Sequence, residues 1–183
     1  MIRISILLLV YIFPSLCTAE TCAKSPQEFK REVLPILFSS KEKPVSLAAS
    51  MDFDTISRRA LSKKTMTTIS EENFNEFKNT LETLLMAGFL KKLSTFEKPS
   101  LEYSFVNVNH FNIGGEVSSG NSLSELSLEV HKGQEGCWKI VDIVIDEVSM
   151  VDNYREQFQS IISKHDFVTL LTKMKTKLKT LRS

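Results

Sequence analysis

The segment from Cys137 to Phe158, CWKIVDIVIDEVSMVDNYREQF, limits the possible folds most, because its apolar period changes halfway along. Between Trp138 and Ile145 both parities are apolar, with Trp138, Ile140 and Val144 on one side and Val141, Ile143 and Ile145 on the other. Such a run predicts a strand covered on both faces, and so a central one. Beyond Asp146 the spacing turns helical. Val151, Tyr154, Phe158, Ile161 and Ile162 share one face, and Ser149 with Asp152 three residues later reads as an N-cap pair. A central strand running straight into an amphipathic helix is the expected scaffold.

Upstream, two grammars follow one another. Ser25 caps and Pro26 opens a helix carrying Phe29, Val33, Ile36 and Leu37, which Pro35 should kink or end. Leu47 to Lys64 reads as helical, interrupted near Asp52 and Asp54. Ser70 then opens the longest helix, with the stripe Phe74, Phe77, Leu81, Leu84, Leu85 and Gly88. Glycine inside a helix costs roughly 1 kcal/mol relative to alanine, so close packing is expected at Gly88. After Pro99 the alternation is that of strands. Leu101, Tyr103 and Phe105 hold odd positions while Val106 and Val108 hold even ones, a phase slip that predicts a β-bulge. Gly114-Gly115 and Ser119-Gly120-Asn121 read as turns. Leu126, Leu128 and Val130 against Glu125, Ser127 and Glu129 make a one-sided antiparallel strand. The class is therefore α+β: a helical part at about 25–98, a strongly bent antiparallel sheet of about four strands at about 100–147, and C-terminal helices at about 149–181.

The N-terminus bears on compartment. Arg3, the apolar run Ile4 to Phe13, the breaker Pro14 and small residues up to Thr18-Ala19 have the layout of a secretory signal cleaved near Ala19 or Ala23. The run is shorter than the roughly 20 residues a membrane span requires. Residues 1–19 are thus expected to be a cleaved leader and 20–183 a single domain. Losing a leader that ends at Ala19 takes Arg3 away and leaves 22 basic against 22 acidic residues. A neutral chain argues against nucleic acid as partner. Cys22 and Cys137 remain, and in an oxidising compartment they could bridge or stay as separate thiols.

Catalytic patterns are sparse. His110, His131 and His165 lie far apart in sequence, and there is no CxxC, HExxH, HxH, glycine-rich phosphate loop or G-x-S-x-G elbow. Neither a metal site nor a cofactor is expected. Asp142 is the one acid committed to a mostly apolar strand, so if buried it needs a partner. Its structural reading is a hydrogen-bonded anchor between strand and helix with Arg155 as candidate partner; its functional reading is a general base in a hydrophobic cone. Arg155 either pairs with Asp152 or Asp142, or captures a phosphate with its planar fork. The last helix carries Leu170, Met174, Leu178 and Leu181 on one face, with Lys173, Lys175, Lys177, Lys179 and Arg182 around them. That is either a solvated helix with a basic end or a contact for anionic headgroups.

The run GCWKIVDIVIDEVSMVDNYREQFQSII resembles the signature of the MlaC and toluene-tolerance family of periplasmic phospholipid carriers. Trp138, Asp142, Val148, Ser149, Asn153, Tyr154, Arg155, Gln157 and Phe158 fall in register with it, and MDFDTISRRAL at 51–61 resembles the family's upstream helical motif. The chain departs at Glu147 and Ser62, where the family usually has glycine, and lacks the aromatic expected within Lys63 to Met66. The resemblance implies a cone-like sheet similar to that of nuclear transport factor 2 and a non-enzymatic role: holding a phospholipid cargo in a hydrophobic cavity in the periplasm. It implies transport between outer and inner membrane in support of outer-membrane lipid asymmetry. The partners would be an outer-membrane lipoprotein complex and an inner-membrane ABC transporter, met transiently by a monomer. Twelve Phe against one Trp and three Tyr suit an acyl-chain lining. From pattern, the expected wall is Leu81, Leu84, Leu85, Phe89, Phe105, Val108, Ile143, Ile145, Val148, Tyr154 and Phe158. Another apolar cargo of hopanoid or sterol type is an alternative, as is a small secreted enzyme of the same fold using Asp142 and Tyr103.

Overall fold

Short polar side chains punctuate the helical part. In the computed structural model, which describes residues 22–37, 44–93, 96 and 101–182, Ser25 accepts from the Glu28 amide and starts α1 (Pro26–Glu32). The chain turns at Val33 into α2 (Leu34–Leu37), and the break falls just ahead of Pro35. The segment read as one interrupted helix over Leu47 to Lys64 holds α3 (Pro44–Ala49) and α4 (Phe53–Ala60), separated where Asp52 takes the Thr55 amide onto its carboxylate at 2.9 Å, and runs into the start of a third. Ser62 caps α5 (Lys63–Thr68) in the same way, and Ser70 accepts from Asn73 at the start of α6 (Glu71–Leu93). The leader expected at 1–19 lies outside the described residues, as do the side chains of 44–46, 89–93, 103, 105 and 182.

Five antiparallel strands follow as a meander: β1 (Glu102–Asn107), β2 (His110–Ser119), β3 (Ser122–Lys132), β4 (Trp138–Ile145) and the two-residue β5 (Val148–Ser149). They curl into a half-barrel. The expected bulge is present, with the β1–β2 register slipping between Phe105 and Asn107. A second slip lies between Glu129 and Val130, where β4 carries Val141 as an extra residue. The doubled parity of β4 therefore has two sources: both faces are covered, and the bulge moves the core face from Trp138 and Ile140 to Ile143.

Gly114 and Gly115 do not form a turn; they sit inside β2, paired with Ser127 and Leu126. A Cβ on Gly114 would lie 2.8 Å from the Leu126 carbonyl oxygen, so glycine here permits close approach of two strands. The turn expected at Ser119-Gly120-Asn121 is present, and the other strand connections turn at Val108-Asn109, Gln134-Glu135 and Asp146-Glu147.

The middle strand is β3, not β4. The outer edge of β4 is nonetheless sealed by three short segments. The Trp138 amide donates to the Ala23 carbonyl, Ile140 exchanges bonds with Ser50 and Asp52, and β5 pairs with Val144 and Ile145. Backbone groups that would template aggregation are thereby satisfied. A disulfide between Cys22 and Cys137, 115 residues apart in sequence, locks the first of these segments to the start of β4.

One face of the sheet carries Phe111, Ile113, Leu126, Leu128, Val130, Trp138 and Ile140, all buried. Phe29 of α1 meets the Phe111 ring edge-on at 5.7 Å, and Phe111 in turn meets Trp138 at 4.8 Å. Two helices close the fold, α7 (Met150–Lys164), capped by Ser149 accepting from Asp152, and α8 (Phe167–Arg182), capped by Asp166 accepting from Thr169. No described helix is long and apolar enough to cross a membrane.

Candidate functional site

Three helices enclose an apolar hollow. The stripe on α6 buries Phe74, Phe77, Leu81, Leu84 and Leu85; α8 lies along it and packs on α7 in turn, and α7 reaches it through Phe158. Phe77 stands edge-on to Phe158 at 5.5 Å and lies 6.0 Å from the Phe167 ring, so it is the point where the three helices meet. Beside it a cavity of about 180 Å³ is walled by Leu84, Tyr154, Phe158, Ile161, Leu170 and Met174. Gly88, Gln157, Lys173, Lys177 and Leu181 complete the lining. Greasy walls and a lysine rim form an amphipathic pocket. Burial pushes the Tyr154 phenol above its ordinary range, which keeps it neutral.

Gly88 is exposed at this mouth, and a Cβ there would meet nothing within 4 Å, so the close packing expected around it is absent. Of the expected wall, Leu84, Tyr154 and Phe158 line the cavity. Leu81, Leu85 and Ile143 are packed into the core instead, and Ile145 is half-buried against it. Val108 and Val148 do not belong to any wall: Val108 occupies the β1–β2 turn at 86% exposure, and Val148 in β5 is 58% exposed. Alternation put Val108 on an inner face, but the chain reverses there; Val148 sits in the two-residue edge strand with its side chain largely in solvent. The side chains of Phe89, Phe105 and Tyr103 lie outside the described residues. Residues of α8 were missing from the expected wall although their stripe of Leu170, Met174 and Leu181 among lysines was visible; sequence does not say which helix a stripe docks against.

Asp142 is the anchor its position suggested, with a different partner. Only 2% exposed, it accepts from the backbone amides of Ile143 (2.7 Å) and Val151 (3.1 Å) through Oδ1, and from the Ser149 hydroxyl (2.5 Å) through Oδ2. A buried carboxylate thus sits at the N-terminus of α7, where the helix dipole favours negative charge. Its cation is Arg59 of α4, 3.4 Å away, rather than Arg155. Arg155 pairs with Asp152 on its own helix at 3.0 Å, one of the two partners expected. Arg59 also binds Glu129 at 2.7 Å, so one guanidinium joins α4, β3 and β4. With every lone-pair direction occupied, Asp142 is built for holding the strand-to-helix corner.

The histidines do not stay apart. The β2–β3 register sets His110 directly opposite His131, with Glu129 two residues before His131 on the same face. His165 stands alone at the end of α7.

The family model described as MlaC protein matches residues 45–176, more than half of the chain. The chain belongs to the MlaC family. Both patches quoted from the sequence fall inside the match. The fold of this MlaC-family chain is similar to that of a phospholipid-binding protein from Ralstonia solanacearum solved in complex with a phospholipid. The two are 17% identical, with a TM-score of 0.65 over 75% of this chain and 79% of the other. No functionally curated protein matches the chain.

Proposed function

We propose that this MlaC-family chain is a carrier that holds a phospholipid by its acyl chains between α6, α7 and α8. In this reading it moves the lipid across the periplasm between the outer and inner membranes, meeting an outer-membrane lipoprotein complex and an inner-membrane ABC transporter. The observation that carries the reading is the amphipathic cavity, apolar within and lysine-rimmed, in a chain whose fold resembles that of a phospholipid-bound protein. Removing two chains of about 16 carbons from a bilayer forfeits on the order of 25 kcal/mol at about 0.8 kcal/mol per methylene. Only apolar cover offsets that. Lys173 and Lys177 then stand where an anionic headgroup would leave the pocket, which favours a phospholipid over a sterol-like cargo.

At about 180 Å³ the closed cavity is smaller than the roughly 300–1,000 Å³ of ordinary ligand sites. Loading therefore requires α8 to swing away from α6. Their contact is suited to it: it consists of non-directional apolar packing and the exposed Glu76–Lys175 pair, worth at most about 1 kcal/mol. The test is native mass spectrometry of the chain purified from its own envelope, with and without Gly88→Phe, a change at the mouth where an added Cβ has open space. The wild type should carry a phospholipid mass that the variant loses while keeping its circular dichroism. A wild type that is empty, or that carries only a neutral sterol-like mass, overturns the proposal.

A further inference from the structure

The face of the sheet opposite Phe111 and Leu128 carries a cluster unrelated to the apolar pocket. His110 and His131 are cross-strand partners with ring centroids 4.4 Å apart, and Glu129 precedes His131 by two residues, which puts all three side chains on one side of the β2–β3 ladder. The Glu129 Oε1 lies 3.0 Å from His131 Nε2 and 3.6 Å from His110 Nε2, and the three atoms fall within 4.8 Å of one another. Ligands about 2.0–2.2 Å from a tetrahedral zinc are themselves about 3.3 Å apart, so the two carboxylate-to-ring separations of 3.0 and 3.6 Å lie on either side of that spacing.

We propose that His110, His131 and Glu129 form a binding site for a divalent first-row transition ion of the zinc class. Two imidazoles and one carboxylate oxygen suit such an ion, leaving the remaining position to water. Each histidine binds as the neutral ring through Nε2, with its single proton on Nδ1, so His131 gives up its Nε2 contact with Glu129 and turns that nitrogen's lone pair to the ion. The outer partners are already set. Arg59 holds Glu129 Oε2 at 2.7 Å, Oε1 is the oxygen turned to the two rings, and the same guanidinium touches Asp142. Partial burial alone would raise the Glu129 carboxyl, but Arg59 and His131 hold it below its usual range, in the anionic form a ligand needs. All three groups are only partly exposed, and an open polar cleft of about 560 Å³ reaches His131, giving an ion a way in. A bound ion would clamp β2 to β3.

The test is calorimetric titration of the untagged chain with Zn²⁺ at neutral pH, alongside His110→Ala, His131→Asn and His165→Ala. Saturable binding of one ion is expected, weakened at least about tenfold by either of the first two changes and unaltered by the third. Imidazole nitrogen NMR of the unmodified chain supplies a readout that no folding defect can blur: on adding Zn²⁺, two of the three histidine rings should shift and one should not. Absence of saturable binding, binding untouched by His131→Asn, or equal shifts in all three rings would overturn the assignment.

Discussion

Replacing Asp142 probes the corner that ties β4 to α7. In Asp142→Ala the amides of Ile143 and Val151 lose their acceptor, and each orphaned buried donor costs about 1–3 kcal/mol. Ser149 keeps its bond from the Asp152 amide but loses the acceptor for its hydroxyl proton, and Arg59 is left with Glu129 alone. Removing one partner of a buried charged network generally costs about 3–5 kcal/mol, and that is the expected loss here. Asp142→Asn is different. Its carbonyl oxygen still serves both amides, the Ser149 hydroxyl can rotate to accept from the new NH₂, and only the Arg59 contact turns unfavourable, so about 1–2 kcal/mol should be lost. Urea unfolding followed by the fluorescence of Trp138, the single tryptophan and 5% exposed, reads both values. If the alanine variant loses less than about 1 kcal/mol, or the asparagine variant loses as much as alanine, the anchor argument is wrong. Phospholipid carriage by Asp142→Asn should match the wild type; loss of it with the fold intact would return Asp142 to the list of functional groups.

Three further outcomes follow from the same geometry. Glu147 has φ +64° in the β4–β5 turn, where glycine avoids the cost of the left-handed region, so Glu147→Gly should stabilise by about 1 kcal/mol, measured as a higher urea midpoint. Reducing the Cys22–Cys137 bridge, or Cys22→Ser, should cost about 2–5 kcal/mol, given the 115-residue separation it closes; unchanged unfolding with and without reductant would deny it a role. The Glu129 carboxyl is depressed from 4.5 in the folded chain, where Arg59, His110 and His131 face it. Its contribution should be fully present above that unfolded value and fade as pH falls through the lower folded one. The stability gap between wild type and Glu129→Gln should accordingly be widest near neutrality and close in acid; a gap independent of pH below 4.5 would refute the linkage.

Local chemistry was legible in the sequence: helix starts at Ser25, Ser70 and Ser149, the interruption near Asp52, the bulge near Phe105, and the change of period after Asp146 each depend on neighbours a few residues away. The anchoring role of Asp142 was legible too, since an acid in an apolar strand must be satisfied. Its cation was not, because Arg59 lies 83 positions away and reaches it only after α4 docks beside β4. Register decided the rest. Gly114 and Gly115 look like a turn until β3 is laid beside them, Val108 looks like a wall residue until the chain reverses at it, and His110 and His131 are strangers until two strands pair. The pocket likewise depends on which stripes of α6, α7 and α8 face one another, and amphipathic stripes carry no address. Periodicity and capping are short-range properties written into adjacent side chains, whereas partnership across a sheet or a bundle is chosen by the packing of the whole chain.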